Sequence, residues 1–572
     1  MTKKYTGRII FVMVYKKHNM RQQLSLNDST MPADTSSTCV FLRRYLSWAV
    51  VAVIILFVAL IRIRLLQIPL GRDEGEFAYM GQLMLQGIPP YLLAYNMKLP
   101  GIYSAYALVM ALFGQTIVGI HLGLMVVNTA AIVLLFLLTR RLFYDVAAVV
   151  AAASYALLSL SPSVDGTSAH ATQFIVPFTL GGTLLLLKAL DSRKYWMIFT
   201  SGLLYGLAFI IKQHAVFFIA FAVIYLIVQL IMTQKTEWKR LVSKTGLFLV
   251  ASSIPLAFSC IVIYAVGVFP RFWFWTFTYA HKYVSERSLS DALQYFINLA
   301  PSAINPWGWL LTIAGIGLTA IFWNDKAKLN WQFLSGFFIF SFLTICPGFF
   351  FRKHYFVTLL PAIAILAGVA VSAMIQFLSV RKMTSYIQIL PILIFAAALI
   401  IPTYKLSWFF FRATPVEACR MMYDVNPFPE SIEIAEFIKS HSTKDDKIAI
   451  IGSEPQICFY ANRKSATGYI YVYGLMEHQD YAYKMQQEMI HEIESAHSKY
   501  AVFVNVPYSW LPQPNSDLMI FRWVDAYLKK NYRIIGIFDI LNSNYKAYWE
   551  NELRLYKPTS SDHVYVFERI AG

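Results

Sequence analysis

The stretch Gly71 to Gly101, GRDEGEFAYMGQLMLQGIPPYLLAYNMKLPG, gathers groups that can do chemistry. Asp73, Glu74 and Glu76 stand close together at its start, and Lys98 stands just before Pro100 at its end. A carboxylate at the edge of a membrane is well placed to take a proton from a hydroxyl. A fixed ammonium stabilises negative charge that develops on a departing phosphate. Both groups also have structural alternatives. Asp73 would N-cap the helix that follows, with Glu76 completing a capping box, and Lys98 would snorkel from an interfacial helix.

Further candidates lie downstream. Arg352, Lys353 and His354, beside Tyr355, form either an anion site or a basic belt at the end of an apolar run. Asp165 follows Ser161-Pro162, as a site residue or a turn aspartate. Lys212 falls near a turn between two apolar runs and is costly if buried. His170 and Gln173 are one helical turn apart, which suits ligand binding or polar capping equally.

The elements that must position these groups are membrane helices. Of 572 residues, 57% are hydrophobic and only 14% charged, too few charges to cover a soluble surface of that size. The net charge of +17 would suit nucleic acid, but the basic residues are distributed by topology, so no nucleic-acid partner is expected. Five cysteines show neither CxxC nor Cys/His spacing, which points to no zinc site and no disulfide scaffold. Cys419 and Cys458 could pair outside the cytoplasm, though spacing alone does not bring them together.

Residues 1–44 read as a cytoplasmic basic tail, with Lys3, Lys4, Arg8, Lys16, Lys17, Arg21, Arg43 and Arg44 against Asp28 and Asp34. The run from Leu46 to about Leu66 is an anchor rather than a cleaved signal. Residues 45–404 form the transmembrane domain. About eleven spans are expected, near 46–66, 117–139, 145–163, 169–190, 195–211, 215–232, 243–268, 304–323, 330–350, 355–378 and 385–404. The pair around Lys212 would alternatively be one long broken helix. From a cytoplasmic N-terminus, the inner loops hold Arg140-Arg141, Arg193-Lys194, Lys235 to Lys244, Lys326/Lys328 and Arg381-Lys382. That bias obeys the positive-inside rule, and an odd span count leaves the C-terminal part outside.

The first outer loop, 67–116, is expected to carry two interfacial helices: one marked by Phe77, Met80 and Met84, the other Pro100 to Gly114. Outer bases, including Lys98, Arg271, Lys282 and Arg352, suggest something anionic on that side. Residues 405–572 read as a small exoplasmic α/β domain, with a helix at SIEIAEFIKSH and strands at KIAIIG, YAVFVNV and YRIIGIFDI. It has no nucleotide motif, and an accessory role is expected for it.

Taken together, Asp73-Glu74 with its helix, Lys98 before Pro100, a second helix ending in Phe113-Gly114, GLAFIIKQ and RKHYFVTLLPAIAILAG resemble the GT-C membrane glycosyltransferases. More narrowly, they resemble the group that holds protein O-mannosyltransferases and the lipid A aminoarabinose transferase. The resemblance covers roughly residues 46–404. It implies an enzyme that uses a polyprenyl-phosphate-linked sugar at the exoplasmic face. It also implies Asp73 as base with Glu74 beside it, and Lys98, Arg352, His354 and Tyr355 at the carrier phosphate. Asp165 is loosely matched to a second-loop acid. The chain departs from that pattern at Glu76, where the aminoarabinose transferase has a basic residue, and at Met97-Lys98-Leu99-Pro100, which replaces Glu-Lys-Pro-Pro. His170-Ala171-Thr172-Gln173 replaces an Asn-x-Glu pattern. These departures leave the sugar, the hydroxyl acceptor and any metal open.

The expected protein is thus a polytopic α-helical membrane protein, GT-C-like, in a bacterial plasma membrane. It would transfer sugar to a lipid, glycan or protein hydroxyl with inversion. A divalent ion between the acids and the phosphate is compatible with this, but no ligand spacing requires one. The competing class is a polytopic transporter or lipid flippase, which would show internal repeats and broken helices at mid-membrane. No convincing repeat is seen.

Overall fold

The computed structural model describes residues 37–192, 194–232, 237–285, 287–541 and 544–570, with side chains from Tyr45 onward except at 551, 554 and 555. The basic tail expected over 1–44, Arg193 and Lys235 therefore lie wholly or in their side chains outside the described residues.

All eleven expected spans fall on helices, but their lengths differ. Among the described residues seven helices are long and apolar enough to cross a membrane, and Leu289–Ile304 with Gly308–Phe322, bent by 112°, make an eighth if counted as one span. The segments expected at 145–163, 195–211 and 330–350 are helices of 14, 17 and 13 residues: Asp145–Leu158, Tyr195–Ile211 and Trp331–Leu343. Local chemistry shortens each of them. The first gives way to a 3-10 turn at Pro162, the second stops at extended Lys212, and the third precedes Pro347. The chain breaks at Lys212, so the flanking segments are two helices and not one.

Helix packing in the membrane part relies on small residues that let backbones approach. A Cβ on Gly202 would lie 2.5 Å from the Phe248 carbonyl oxygen, and one on Gly206 2.3 Å from that of Ser252. Tyr195–Ile211 therefore lies directly on Trp238–Ala265.

The outer domain starts cleanly. Thr414 caps Pro415–Tyr423 in a capping box closed by Glu417. Its sheet has six strands, β1 Lys447–Ile451, β2 Lys464–Ser465, β3 Tyr500–Asn505, β4 Tyr532–Ile540, β5 Tyr545–Trp549 and β6 His563–Arg569, in the order β2-β1-β3-β6-β4-β5. The three expected strands are β1, β3 and β4. β1 pairs in parallel with β2 and β3, whereas β6 is antiparallel to β3 and β4. Cys419 and Cys458 are both buried free thiols.

The first-loop helix, Arg72–Leu85, departs from expectation in two ways. It does not lie along an interface, because Glu74 through Leu83 are all buried. Helix Pro100–Phe113 covers one side of it and the outer-domain helix Pro455–Ala461 another. Its N-cap is Gly71, not Asp73, and Glu74 rather than Glu76 returns to the cap, with Oε2 accepting from the Gly71 amide at 3.0 Å. Asp73 is thereby released from capping.

Gly75 marks a close approach of the two domains: a Cβ there would sit 2.7 Å from the Gln456 Cβ. Gly75→Val should cost about 1–3 kcal/mol by overpacking. Thermal unfolding in detergent checks this, and an unchanged melting temperature would show that the interface yields.

Candidate active site

Asp73 opens into a cavity of about 270 Å³ where the membrane helices meet the outer domain. Its two carboxylate oxygens face different partners. Oδ1 accepts the Tyr471 hydroxyl at 3.1 Å, while Oδ2 lies 3.5 Å from His170 Nδ1 and 3.9 Å from His354 Nε2. Burial alone would raise the carboxyl's pKa. The His170 contact, the Lys98 charge and the two imidazoles outweigh it and hold Asp73 well below the usual carboxylate range.

The imidazoles of His170 and His354 stack with centroids 4.0 Å apart. Behind them sits Asp165, in the left-handed conformation at φ 51°, with Oδ2 at 3.8 Å from His354 Nδ1 and Oδ1 without a hydrogen-bond partner. Asp165 is both the turn residue and a neighbour of the imidazole pair. Burial pushes its carboxyl up to about 6. Within the pair the proton belongs on His170: burial opposes it, but Asp73 contact and charge raise its pKa, whereas burial and the neighbouring His170 push His354 down.

Three cations share the cavity with Asp73: Lys98, Lys212 and Arg352. None has a carboxylate in ion-pair contact among the described residues, unlike Arg72 or Lys282, which do. Lys212 sits at the helix break with its ammonium 4.3 Å from the Tyr355 ring centroid. Burial, then repulsion from Lys98, lowers its pKa to about 7. Tyr355 and His354 also line the cavity.

Two sequence candidates lie elsewhere. Glu74 is turned away from the cavity and saturated by the Gly71 amide, the Ala169 amide at 2.6 Å and His121 Nε2 at 3.2 Å. Its position beside Asp73 in sequence puts it about 100° around the helix, so it braces the fold and does not face a substrate. Gln173 is buried outside the cavity and donates to the Gly166 carbonyl at 3.3 Å, bracing the Asp165 loop.

Sequence reasoning missed the outer domain's share. Tyr471, Tyr473 and Glu477 line the cavity, which departs from a purely accessory role for that domain. The signal was the aromatic run GYIYVYG, Gly468 to Gly474.

Asp73, His170 and His354 offer donor atoms within 4.8 Å of one another, and both His170 ring nitrogens lack hydrogen-bond partners. Two imidazoles and one carboxylate are donors of the kind a transition metal takes, but the stacked rings would have to turn before both in-plane lone pairs reached one ion. A metal held there would supply a Lewis-acidic positive charge next to the cavity.

Comparison with known proteins agrees with this architecture. The family described as dolichyl-phosphate-mannose-protein mannosyltransferase matches residues 98–256. The undecaprenyl phosphate-alpha-4-amino-4-deoxy-L-arabinose arabinosyl transferase of Pseudomonas aeruginosa (strain LESB58) is 26% identical over 260 residues, 42% of this chain and 45% of that one. Its counterpart in Pseudomonas paraeruginosa (strain DSM 24068 / PA7) is 28% identical over the same share. The match thus spans less than half the length of these curated relatives. The crystal structure of ArnT from Cupriavidus metallidurans bound to undecaprenyl phosphate superposes with a TM-score of 0.51 at 16% identity, covering 93% of this chain and 98% of that one. The fold is that of the GT-C membrane glycosyltransferases. In this GT-C fold the cavity lies at helix ends and loops and is roofed by the outer domain.

Glu76, a departure from the pattern that the sequence resembles, is buried and accepts from Asn96 Nδ2 at 2.5 Å and the Tyr103 hydroxyl at 2.8 Å. Burial, only partly offset by Lys98, pushes its carboxyl from 4.5 to about 8. The folded protein then binds more protons than the unfolded chain between those values, so stability falls as pH rises from 4.5 to 8. Glu76→Gln should flatten that slope, leaving stability at low pH little changed and raising it above pH 8. Melting temperature against pH for both proteins checks this; parallel curves would contradict it.

Proposed function

We propose that the protein transfers a sugar from a polyprenyl-phosphate-linked donor to an acceptor hydroxyl at the exoplasmic face of a bacterial inner membrane. The observation that carries this reading is the convergence of Lys98, Lys212 and Arg352, unpaired with carboxylates, on one cavity with the ionised Asp73. Cations without acids call for an anion, and a phosphate brings one. The named relatives, whose names carry undecaprenyl phosphate as sugar carrier, support that donor class.

In the proposed step the acceptor oxygen attacks the anomeric carbon from the side of Asp73. The bond from that carbon to the phosphate oxygen breaks, and the phosphate leaves with the bonding pair. Asp73 takes the hydroxyl proton, and the anomeric centre inverts. Lys98 and Arg352 stabilise the departing phosphate, with His354, Tyr355 and Lys212 completing its surroundings. The cationic groups lie at helix ends and loops, where a lateral lipid donor meets the aqueous acceptor side. This placement favours transfer over a transporter, whose charges belong at mid-membrane.

Asp73→Asn keeps shape but loses the proton-accepting carboxylate. It should lower turnover on the order of a hundredfold or more with donor binding retained. Lys98→Ala should weaken donor binding as well as turnover. Transfer rate and affinity for undecaprenyl phosphate, at matched thermal stability, separate the two. An Asp73→Asn enzyme with near wild-type turnover would overturn the base assignment.

The proposed orientation puts residues 1–44 in the cytoplasm and residues 405–572 outside, from the basic bias of the inner loops. A reporter fused after Gly572 should be active only when it requires export. Activity of a reporter that works only in the cytoplasm would invert the topology.

A further inference from the structure

The outer domain holds a preformed receptor for a cation, and the cation in it belongs to the membrane domain. Arg72 Nε donates to the Ser453 carbonyl at 2.7 Å, Nη1 to the Tyr473 hydroxyl at 2.7 Å, and Nη2 to Glu454 Oε1 at 2.8 Å and Asn426 Oδ1 at 3.0 Å. The receptor is itself braced. Ser509 Oγ donates to Glu454 Oε2 at 2.7 Å and accepts from the Ser453 amide at 2.8 Å, and the Tyr473 hydroxyl donates to the Tyr508 carbonyl at 2.8 Å.

Placement within the sheet explains why the receptor is there. Ser453 and Glu454 follow β1, Tyr508 and Ser509 follow β3, and Tyr471 and Tyr473 lie on the chain beyond β2. These are the carboxyl ends of three adjacent parallel strands, the edge where open α/β sheets bind ligands. Here that edge is filled by Arg72, the residue before Asp73. The same edge presents Tyr471, whose ring stands edge-on to Tyr473 at 4.6 Å and whose hydroxyl reaches Asp73 Oδ1.

We propose that Tyr471 is a positioning residue for Asp73, delivered by the outer domain through the Arg72 receptor. This rests on the reading of Asp73 as the base. With Oδ1 engaged by Tyr471, the carboxylate is held in one rotamer with Oδ2 toward the imidazoles, and the acceptor meets an oriented oxygen. The outer domain is therefore part of the catalytic assembly and not an appendage.

The test uses full-length protein in detergent, with undecaprenyl-phosphate-linked 4-amino-4-deoxy-L-arabinose and undecaprenyl-phosphate-linked mannose as donors and release of undecaprenyl phosphate as readout. Tyr471→Phe should lower kcat roughly tenfold, the loss expected when one hydrogen bond to a charged group is removed. Donor KM and the thermal shift given by undecaprenyl phosphate should stay unchanged. Tyr471→His, which keeps an N–H donor, should recover part of the loss and serves also if the Phe variant folds poorly. In an Asp73→Asn background, Tyr471→Phe should cost nothing further. A Tyr471→Phe kcat equal to wild type while Asp73→Asn is impaired would overturn this proposal alone. Near wild-type Asp73→Asn would overturn the base reading beneath it. A loss that multiplies with Asp73→Asn, or that follows a lowered melting temperature, would make Tyr471 merely structural. A cryo-EM map with its hydroxyl out of reach of Asp73 would refute the proposal whatever the turnover.

Discussion

Three consecutive charged residues at the start of one short helix hold the molecule together. Successive side chains on a helix point about 100° apart, so Arg72, Asp73 and Glu74 face three different bodies. Arg72 enters the outer domain, Asp73 faces the cavity, and Glu74 enters the loop that carries Ala169 and the helix that carries His121. Neither flanking charge can turn without leaving a buried partner unpaired, which costs far more than the pair contributes when intact. The carboxylate between them is fixed by its neighbours' anchors as much as by its own contacts. The Gly71 cap and the close fit of Gly75 on Gln456 keep the helix at the position where all three reach their targets.

That arrangement explains which parts of the site were legible beforehand. Apolar length marks helices reliably, because a bilayer sets the number of residues a span needs, and all eleven expected segments fall on helices. Short apolar runs likewise marked β1, β3 and β4 as buried strands, while β2 is only two residues long and β5 is half-exposed, so neither carries a strong pattern. Asp73, Lys98, Lys212, Arg352 and His354 stood out because charged groups beside long apolar runs need a reason to be there. Glu74 looked equivalent to Asp73, since sequence adjacency hides the turn between them. Gln173 looked like a partner of His170, but its amide serves the backbone of the Asp165 loop. Tyr471 was invisible for a different reason. Its contact joins positions almost four hundred residues apart in the chain, and a tyrosine in an aromatic run carries no sign of which hydroxyl will meet a charge.

The departures from the family pattern also acquire a physical sense. Glu76 replaces a base, yet Asn96 and Tyr103 both donate to it and burial raises its pKa. Below its folded pKa it is a neutral hydrogen-bonding group, and the substitution adds little negative charge beside Lys98. The His170 position, which replaces a polar motif of the relatives, brings an imidazole onto Asp73 where it stacks on His354. The immediate surroundings of Asp73 thus combine a tyrosine from the outer domain with two stacked imidazoles.

The cavity is organised differently from the buried ion pairs elsewhere in the chain. Arg72 and Arg420 are buried against carboxylates, those of Glu454 and Glu430. Around Asp73 the balance differs: Lys98, Lys212 and Arg352 share the cavity with the Asp73 and Glu477 carboxylates without an ion-pair contact among the described residues, and burial is so costly to Lys212 that its pKa falls to about 7. Such a cluster opposes folding, since each charge repels the next and has lost solvent. It persists because the surrounding elements are fixed by other contacts: small-residue helix packing below, and the Arg72 receptor above. On the proposed function, the cations kept unpaired at this place await the phosphate of the donor. In the proposed step the carboxylate beside them, held from both domains, stands on the acceptor's side of the sugar, opposite the departing phosphate.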